Sequence, residues 1–244
     1  LKVGGSVYEA FMVQYAGVNH ETGQAQWYQD VYYNADGKKV ESAKAADYAY
    51  TKKELTTDIT KATQYDCGST LPTIFGGFGT SVAAYGFDLS AQFSYQLGGK
   101  IYDGQYQALM HNGTSKGSAM HKDLLNAWSE TNKNSDIPRL SQAAADDPGI
   151  GSQTTQDRFL TSSNYLCLNN LTLGYTFPKA LIRPLELTNL RIYVAGENIF
   201  MLTKRKGLDP RFNYGIGSMT SGSGLSGGGY AALRSITAGI SLTF

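Results

Sequence analysis

The stretch FDLSAQFSYQL, residues 87–97, indicates the fold class because its side chains alternate between apolar and polar without a break. Successive side chains of a β-strand point to opposite faces, so the pattern predicts a strand with one apolar and one polar face. A globular strand usually has about five or six residues, whereas a tilted membrane-spanning strand has roughly 9–11. In a closed barrel made of such membrane-spanning strands, the apolar face would meet lipid and the polar face would line the lumen. The residues predicted to face that lumen are Asp88, Ser90, Gln92, Ser94 and Gln96.

Other parts of the chain show the same period. Three further stretches alternate clearly: residues 165–177, 190–199 and 235–244. Weaker candidates, which bring the predicted total to about eight strands, are residues 3–14, 24–33, 48–52 and 72–79. Turns are predicted at residues 34–37 and 85–86, and one short helix at residues 121–131. The segments predicted as long loops are residues 34–70, 103–157 and 203–232.

One interruption of the alternation lies at Leu168 and Asn169. On the pattern alone, Cys167 before the interruption is predicted to share the apolar face with Leu171 after it.

Long strands joined alternately by short turns and very long loops are typical of an outer-membrane barrel. The predicted fold is therefore all-β, an antiparallel transmembrane β-barrel. The alternative is a soluble β-sandwich or lectin, whose strands also alternate around one buried face. The length of the strands, the aromatic residues near their ends and their small, uncharged polar side chains favour the barrel. A charge facing lipid would cost about 2–4 kcal/mol at the midplane, so Arg191 and Glu197 are predicted to point inward.

Composition argues against several other classes of protein. With 21 Lys and Arg against 20 Asp and Glu, the chain has no basic excess to neutralise nucleic acid. Cys67 and Cys167 form neither a disulfide framework nor a zinc spacing, and the three histidines have no metal-ligand spacing. The glycine motif at residues 222–228 matches G-x-G-x-x-G and G-x-S-x-G but lacks the strand–turn–helix context that both require. We expect no cofactor, no metal and no enzymatic activity.

Five segments together resemble one family, the SusC/RagA-type TonB-dependent outer-membrane transporters. They occur in the family's order, and they are YAGVNHETGQAQWY (15–28), YGFDLS with YQLGGK (85–100), AWSETNKNSDIPR (127–139), DRFL with NYLCLNNLTLGY (157–175) and AGENIF with KGLDP (195–210). Cys167 and Glu197 depart from the family's usual residues.

The resemblance implies that residues 1–244 are the C-terminal segment of a larger barrel of about 22 strands, without the plug and N-terminal domains. It implies import of glycan or peptide nutrients across the outer membrane of a Gram-negative cell. The implied partners are a SusD-like surface lipoprotein, TonB through the absent N-terminal part, and outer-membrane lipid. Two alternatives stay open: a structural or adhesive barrel that binds partners through its loops, and an outer-membrane hydrolase.

Several residues are candidates for contact with substrate. Trp27, Tyr28 and Trp128, predicted in loops, could stack on sugars, although interface anchoring or loop packing would also explain them. Arg191 and Glu197 could contact substrate or only hydrogen-bond the plug. The turn Asp209-Pro210-Arg211 is predicted to hold an ion pair, and Phe244 to serve as an assembly signal through backbone pairing of the last strand.

Overall fold

The computed structural model describes residues 8–41, 48–111, 117–141, 155–204, 209–212 and 232–244, together with Gly4 and Lys44. The chain divides into two compact units. Unit 1 contains residues 1–69, 102–160 and 215–227, and unit 2 contains residues 70–101, 161–214 and 228–244.

Strands are the main element of the described residues, and two α-helices and five 3₁₀ turns accompany them. The strands are β1 Glu9–Val13, β2 Tyr15–Val18, β3 Ala25–Tyr33, β4 Lys39–Val40, β5 Tyr50–Thr56, β6 Gln64–Ser69, β7 Ile74–Ala84, β8 Phe87–Leu97, β9 Lys100–Tyr102, β10 Leu160–Ser162, β11 Tyr165–Thr176, β12 Asn189–Thr203 and β13 Ser235–Thr243. The helices are α1 Gly104–Leu109 and α2 Lys179–Ile182, and the 3₁₀ turns are Ile59–Lys61, Lys122–Asn126, Asp157–Phe159, Arg183–Leu185 and Pro210–Phe212. The predicted all-β, antiparallel class is confirmed.

Unit 2 is built around a five-stranded antiparallel sheet in the order β13-β12-β11-β8-β7. The decisive stretch, residues 87–97, is confirmed as β8 over its whole length. The two-residue turn before it is also confirmed: Tyr85 and Gly86 have φ of 52° and 88°, as a type I′ hairpin turn requires. Strand β7 continues to Ala84, beyond the predicted end at residue 79, because all of its residues pair with β8.

The interruption at Leu168 and Asn169 is confirmed as a shift in register between β11 and both of its neighbours. The predicted side of Cys167 is wrong. Cys167 lies opposite Ser94, whereas Leu171 lies opposite Ala91, so the two are on different faces of the sheet. The extra residue of the bulge reverses the alternation, which a strict period of two cannot anticipate.

Unit 1 has its own sheets and cores. Strand β3 pairs with β2, β4 and β5, and β1 pairs with β6. One core contains Met12, Tyr102 and Phe159, and a second contains Trp27 and Ile59. The sheet of β1 and β6 forms the first core together with side chains from residues 102–160, whereas the second core is built from β1, β3 and the 3₁₀ turn Ile59–Lys61.

The interpretation of residues 34–70 as a long loop is wrong, since that segment contains β4, β5 and β6. The weaker strand candidate at residues 48–52 overlaps β5. The predicted helix at 121–131 is only the 3₁₀ turn Lys122–Asn126, and α1 was not predicted. The glycine motif at 222–228 lies outside the described residues. Within the described ranges, neither helix is long and apolar enough to cross a membrane.

Candidate transport surface

The sheet of unit 2 has two chemically different faces, which the register defines. Residues directly opposite each other in antiparallel strands share a face. Leu89 lies opposite Leu173, which lies opposite Val194, which lies opposite Ala238. One face is therefore apolar across β8, β11, β12 and β13.

This apolar face is exposed rather than packed into a core. Its uncovered side chains include Ile74, Phe78, Val82, Leu89, Leu173, Val194, Ile236 and Ile240. In a β-sandwich these residues would be buried against a second sheet. An exposed apolar surface of this extent marks a contact with lipid or with another protein.

Aromatic rings cluster at two levels of the apolar face. Near the short turns, the ring of Phe87 lies 4.5 Å from that of Tyr175, which lies 5.0 Å from Phe177. Further along the strands, Phe78 and Phe93 stack at 4.8 Å. Two aromatic bands separated along the strands are the arrangement found at the interfaces of membrane barrels.

The opposite face carries the five residues predicted to face the lumen. A bidentate ion pair is its main charged feature: Arg191 Nε donates to Asp88 Oδ1 at 3.0 Å, and Nη2 donates to Oδ2 at 2.5 Å. The pair crosses β11 at Gly174, where a Cβ would lie only 2.5 Å from Asp88 Oδ1. Glycine at this position therefore makes room for the ion pair.

The other polar residues of this face are joined by side-chain hydrogen bonds. Asn170 donates to Gln92 at 3.2 Å, and Ser94 donates to Asn169 Oδ1 at 3.2 Å. Gln96 is buried and donates to Ser163 Oγ at 2.9 Å. These contacts form a wall of neutral donors and acceptors.

Glu197 lies on the same polar face as Asp88 and Arg191 but not beside them. It is exposed and pairs in register with Asn170, and Ser235 Oγ donates to its Oε2 at 3.2 Å. Arg191 and Glu197 thus share a face without forming a joint site.

Arg211 is a residue of this face that sequence reasoning placed only in a local turn. The predicted ion pair with Asp209 is present, with Nη2 to Oδ2 at 2.7 Å. Arg211 Nη1 also donates to Asn198 Oδ1 at 3.0 Å and lies 3.4 Å from Asn169 Oδ1. It therefore binds one residue of each strand at the bulge, Asn169 in β11 and Asn198 in β12. The hydrogen bond with the Asp209 carboxylate raises the pKa of the Arg211 guanidinium above its ordinary value. The bulge itself was the signal that could have located this contact.

Trp27 and Tyr28 lie on β3, which confirms the strand candidate at residues 24–33. The interpretation that places these two rings in a loop is therefore wrong. Trp27 is 1% exposed, and its indole N–H donates to Gln156 Oε1 at 3.1 Å. A ring enclosed in this way offers no face for stacking on a sugar. Tyr28 is half-buried, and Lys53 Nζ lies 4.4 Å from its ring centroid.

Trp128 packs against a turn of unit 1. Its indole N–H donates to the carbonyl of His20 at 3.0 Å. Gly23, with φ of +74°, lies beneath the ring, and a Cβ there would be 2.6 Å from Trp128 Cδ2. Two of the segments that carry the family resemblance, residues 15–28 and 127–139, are therefore in direct contact.

No group of three or more His, Cys, Asp or Glu side chains in the part of the chain that the structure describes could hold a metal ion. The histidines make separate local contacts. His20 Nδ1 lies 2.6 Å from the Lys133 carbonyl, and His121 lies 3.3 Å from the Asp123 carboxylate.

The chain is similar to several known receptors and to a peptide transporter. No family model matches it. It is 29% identical over 77% of its length to TonB-dependent receptor P3 of Formosa agariphila, of which it covers 18%, and 24% identical over 72% of its length to receptor P26 of the same organism, of which it covers 17%.

Among solved structures, the RagAB peptide transporter matches with a TM-score of 0.58 and 30% identity, covering 82% of this chain and 20% of that one. The RagAB peptide importer in its open-open state matches with a TM-score of 0.58 and 26% identity, covering 96% of this chain and 22% of that one. The chain therefore spans about a fifth of the length of the relatives it matches. The resemblance to SusC/RagA-type TonB-dependent transporters is confirmed.

Proposed function

We propose that this chain is the C-terminal part of an outer-membrane barrel that imports short nutrient oligomers, either oligopeptides or oligosaccharides. The observation that supports this most directly is the sheet of unit 2, which is apolar and exposed on one side and polar on the other. Receptors and a peptide transporter among the matched proteins support the same class of activity. Import would be energised through TonB, and a SusD-like lipoprotein would deliver the substrate.

In this proposal the apolar face meets the bilayer. The sheet is part of a closed barrel, in which every backbone N–H and C=O group within lipid has a hydrogen-bond partner. The polar face lines the conduit. Its ion pair, Asp88–Arg191, and the exposed carboxylate of Glu197 supply charges that a plug or a peptide backbone can contact. Tyr28 and Trp128 remain candidates for contact with substrate outside this wall, whereas Trp27 does not.

The test uses a strain in which the native gene is deleted. We expect the strain to lose growth when the transported oligomer is the sole source of carbon or nitrogen. Returning the gene should restore growth only when TonB is present. Mass spectrometry of the purified protein should identify the bound peptide or glycan and a co-purified lipoprotein.

An adhesive barrel would give a different result from a transporter. Growth on every oligomer tested would be unchanged in the deletion strain, and attachment to cells or surfaces would be lost instead. That outcome would replace transport with adhesion.

A further inference from the structure

The connection between β11 and β12, residues 177–188, carries two leucines that the described residues of unit 2 leave exposed. Leu181 in α2 is 64% exposed and Leu185 in the following 3₁₀ turn is 63% exposed. Ile182, between them in sequence, is only 2% exposed. The connection therefore buries Ile182 while it presents Leu181 and Leu185 outward.

Backbone contacts place this connection at the end of the sheet. Phe177 N–H donates to the Leu190 carbonyl at 2.9 Å. At its other end, Thr188 N–H and Oγ1 both donate to the Thr243 carbonyl, at 2.8 and 3.0 Å. The connection is thus fixed to the ends of β11, β12 and β13, beside the short turn of Tyr85 and Gly86.

The apolar face of the sheet is continuous with this connection. The ring of Phe177 packs edge-on against Tyr175 at 5.0 Å, and Tyr175 packs against Phe87 at 4.5 Å. This aromatic band forms one end of the apolar face, and the connection with its two exposed leucines begins there, at Phe177.

The charges of the connection are mostly positive. Lys179 and Arg183 are exposed, and Glu186 is its one acidic residue. Long basic side chains can lie along apolar surface while their charged ends reach toward phosphate. Exposed leucines beside lysine and arginine are the composition of segments that lie in a membrane interface.

We propose that residues 177–188 form an interfacial anchor in a lipid leaflet, in which Leu181 and Leu185 insert among the acyl chains while Lys179 and Arg183 bind the headgroup phosphates of anionic lipid. This inference rests on the proposed function, because it requires the apolar face to cross a bilayer. A lipid surface fits better than a protein partner. Two leucines and two cations cover far less than the roughly 800 Å² per partner of a stable protein interface, and they adjoin the face already assigned to lipid.

Depth in the bilayer provides the first test. The protein expressed from its native gene is reconstituted in vesicles of phosphatidylethanolamine and phosphatidylglycerol, with a nitroxide on Leu181→Cys or Leu185→Cys. The matched control is Leu125→Cys, an 89% exposed leucine of unit 1. Cys67 and Cys167 are buried, and unsubstituted protein sets the labelling background. Collision with oxygen should exceed collision with a water-soluble nickel complex at the two anchor positions, and the order should reverse at residue 125.

A third label, on Ile240→Cys in the apolar face, separates two ways of failing. If residue 240 lies in lipid while residues 181 and 185 behave like residue 125, the anchor is wrong and the proposed function stands. If residue 240 also collides mainly with the nickel complex, the bilayer-crossing sheet itself is wrong.

The cations provide the second test. We expect the double variant Lys179→Gln/Arg183→Gln to lower the ratio of co-purified phosphatidylglycerol to phosphatidylethanolamine at least twofold, measured by mass spectrometry. The matched control is Lys52→Gln/Lys122→Gln, two exposed lysines of unit 1. Equal ratios in the two double variants would overturn the assignment of Lys179 and Arg183 to the headgroups of anionic lipid.

Discussion

At the scale of single residues, Gly174 shows how the absence of a side chain permits an ion pair. The Asp88 carboxylate and the Arg191 guanidinium meet over this position, and a Cβ there would lie 2.5 and 2.7 Å from the two carboxylate oxygens. Because residue 174 has no side chain, β11 leaves room at this point for the Asp88–Arg191 pair on the polar face.

The first prediction concerns this glycine. Gly174→Ala should destabilise the folded protein by about 1–3 kcal/mol, the usual cost of overpacking, because the added methyl separates Asp88 from Arg191. The measurement is the temperature at which the folded band disappears in gel electrophoresis. Thr172→Ala, two residues away on the same face, is the control and should stay close to the unsubstituted protein. Equal effects of the two changes would contradict the packing argument.

The second prediction separates a structural role of Trp27 from contact with substrate. Trp27→Ala should cost about 3–5 kcal/mol, because the ring is buried and its N–H is bonded to Gln156. Tyr50→Ala, which removes an exposed ring of the neighbouring β5, should cost much less. Protease resistance in denaturant measures both. A fully stable Trp27→Ala protein with impaired import would restore the substrate hypothesis.

At the scale of elements, the bulge shared by β11 and β12 joins the sheet to the turn of Asp209 and Arg211. Asn198, in β12, adopts a left-handed φ of 50°, and its amide oxygen accepts from Arg211 Nη1. Most residues with a side chain pay about 1–2 kcal/mol in this conformation, and asparagine is among the few that adopt it more readily. The contact with Arg211 adds to the stability of this conformation at residue 198.

The third prediction uses this backbone conformation. Both Asn198→Ala and Asn198→Gly remove the acceptor for Arg211, but only alanine keeps the strain of a left-handed φ. Asn198→Ala should therefore be less stable than Asn198→Gly by about 1 kcal/mol. Thermal unfolding of the two variants side by side is the measurement. The reverse order would mean that residue 198 leaves the left-handed region once the asparagine is gone.

The fourth prediction concerns pH and the sheet of β3, β4 and β5. Hydrogen bonds from Tyr33 and then from Lys39 lower the pKa of the Glu54 carboxyl from its ordinary 4.5. A carboxyl whose pKa is lowered by folding adds stability at a pH above its pKa in the unfolded chain. This contribution is lost as the pH falls through its pKa in the folded protein. Amide exchange in β3 and β5 should therefore accelerate below about pH 4.5, relative to the rest of unit 1. Glu54→Gln should remove the pH dependence, and a dependence that persists in this variant would assign it to another group.

At the scale of the whole molecule, the five-stranded sheet ends in β13 and β7, each of which pairs with one strand only among the described residues. An open edge in lipid leaves unpaired backbone groups, which is costly. In the proposed barrel both edges of the sheet pair with further strands. One of these edges is β13, which precedes the 84% exposed Phe244.

The fifth prediction follows from that edge. Deleting residues 235–244 should abolish insertion into the outer membrane, because β12 then loses its partner along residues 189–197. Phe244→Ala should keep the strand and reduce insertion less severely. The measurement is the amount of heat-modifiable protein in the outer-membrane fraction. Normal insertion of the truncated protein would contradict the assignment of β13 to the barrel.

The sequence alone determined four strands of unit 2, namely β8, β11, β12 and β13. Outside the part of β11 that precedes the bulge, it also determined their two faces, because a period of two records directly which side chains share a face. It also carried the family resemblance, since the motifs are local. It could not determine the side of Cys167, because one extra residue in β11 reverses the alternation and only pairing with β8 reveals it.

The tertiary structure alone decided which residues meet. Asp88 and Arg191 are 103 positions apart and Trp27 and Gln156 are 129 apart, and no local pattern encodes such contacts. It also showed that residues 34–70 contribute strands to a packed unit, because short strands with mixed polarity are stabilised by their partners and not by their own propensity. Faces follow from the order of residues along one strand, whereas contacts follow from how distant strands are brought together in space.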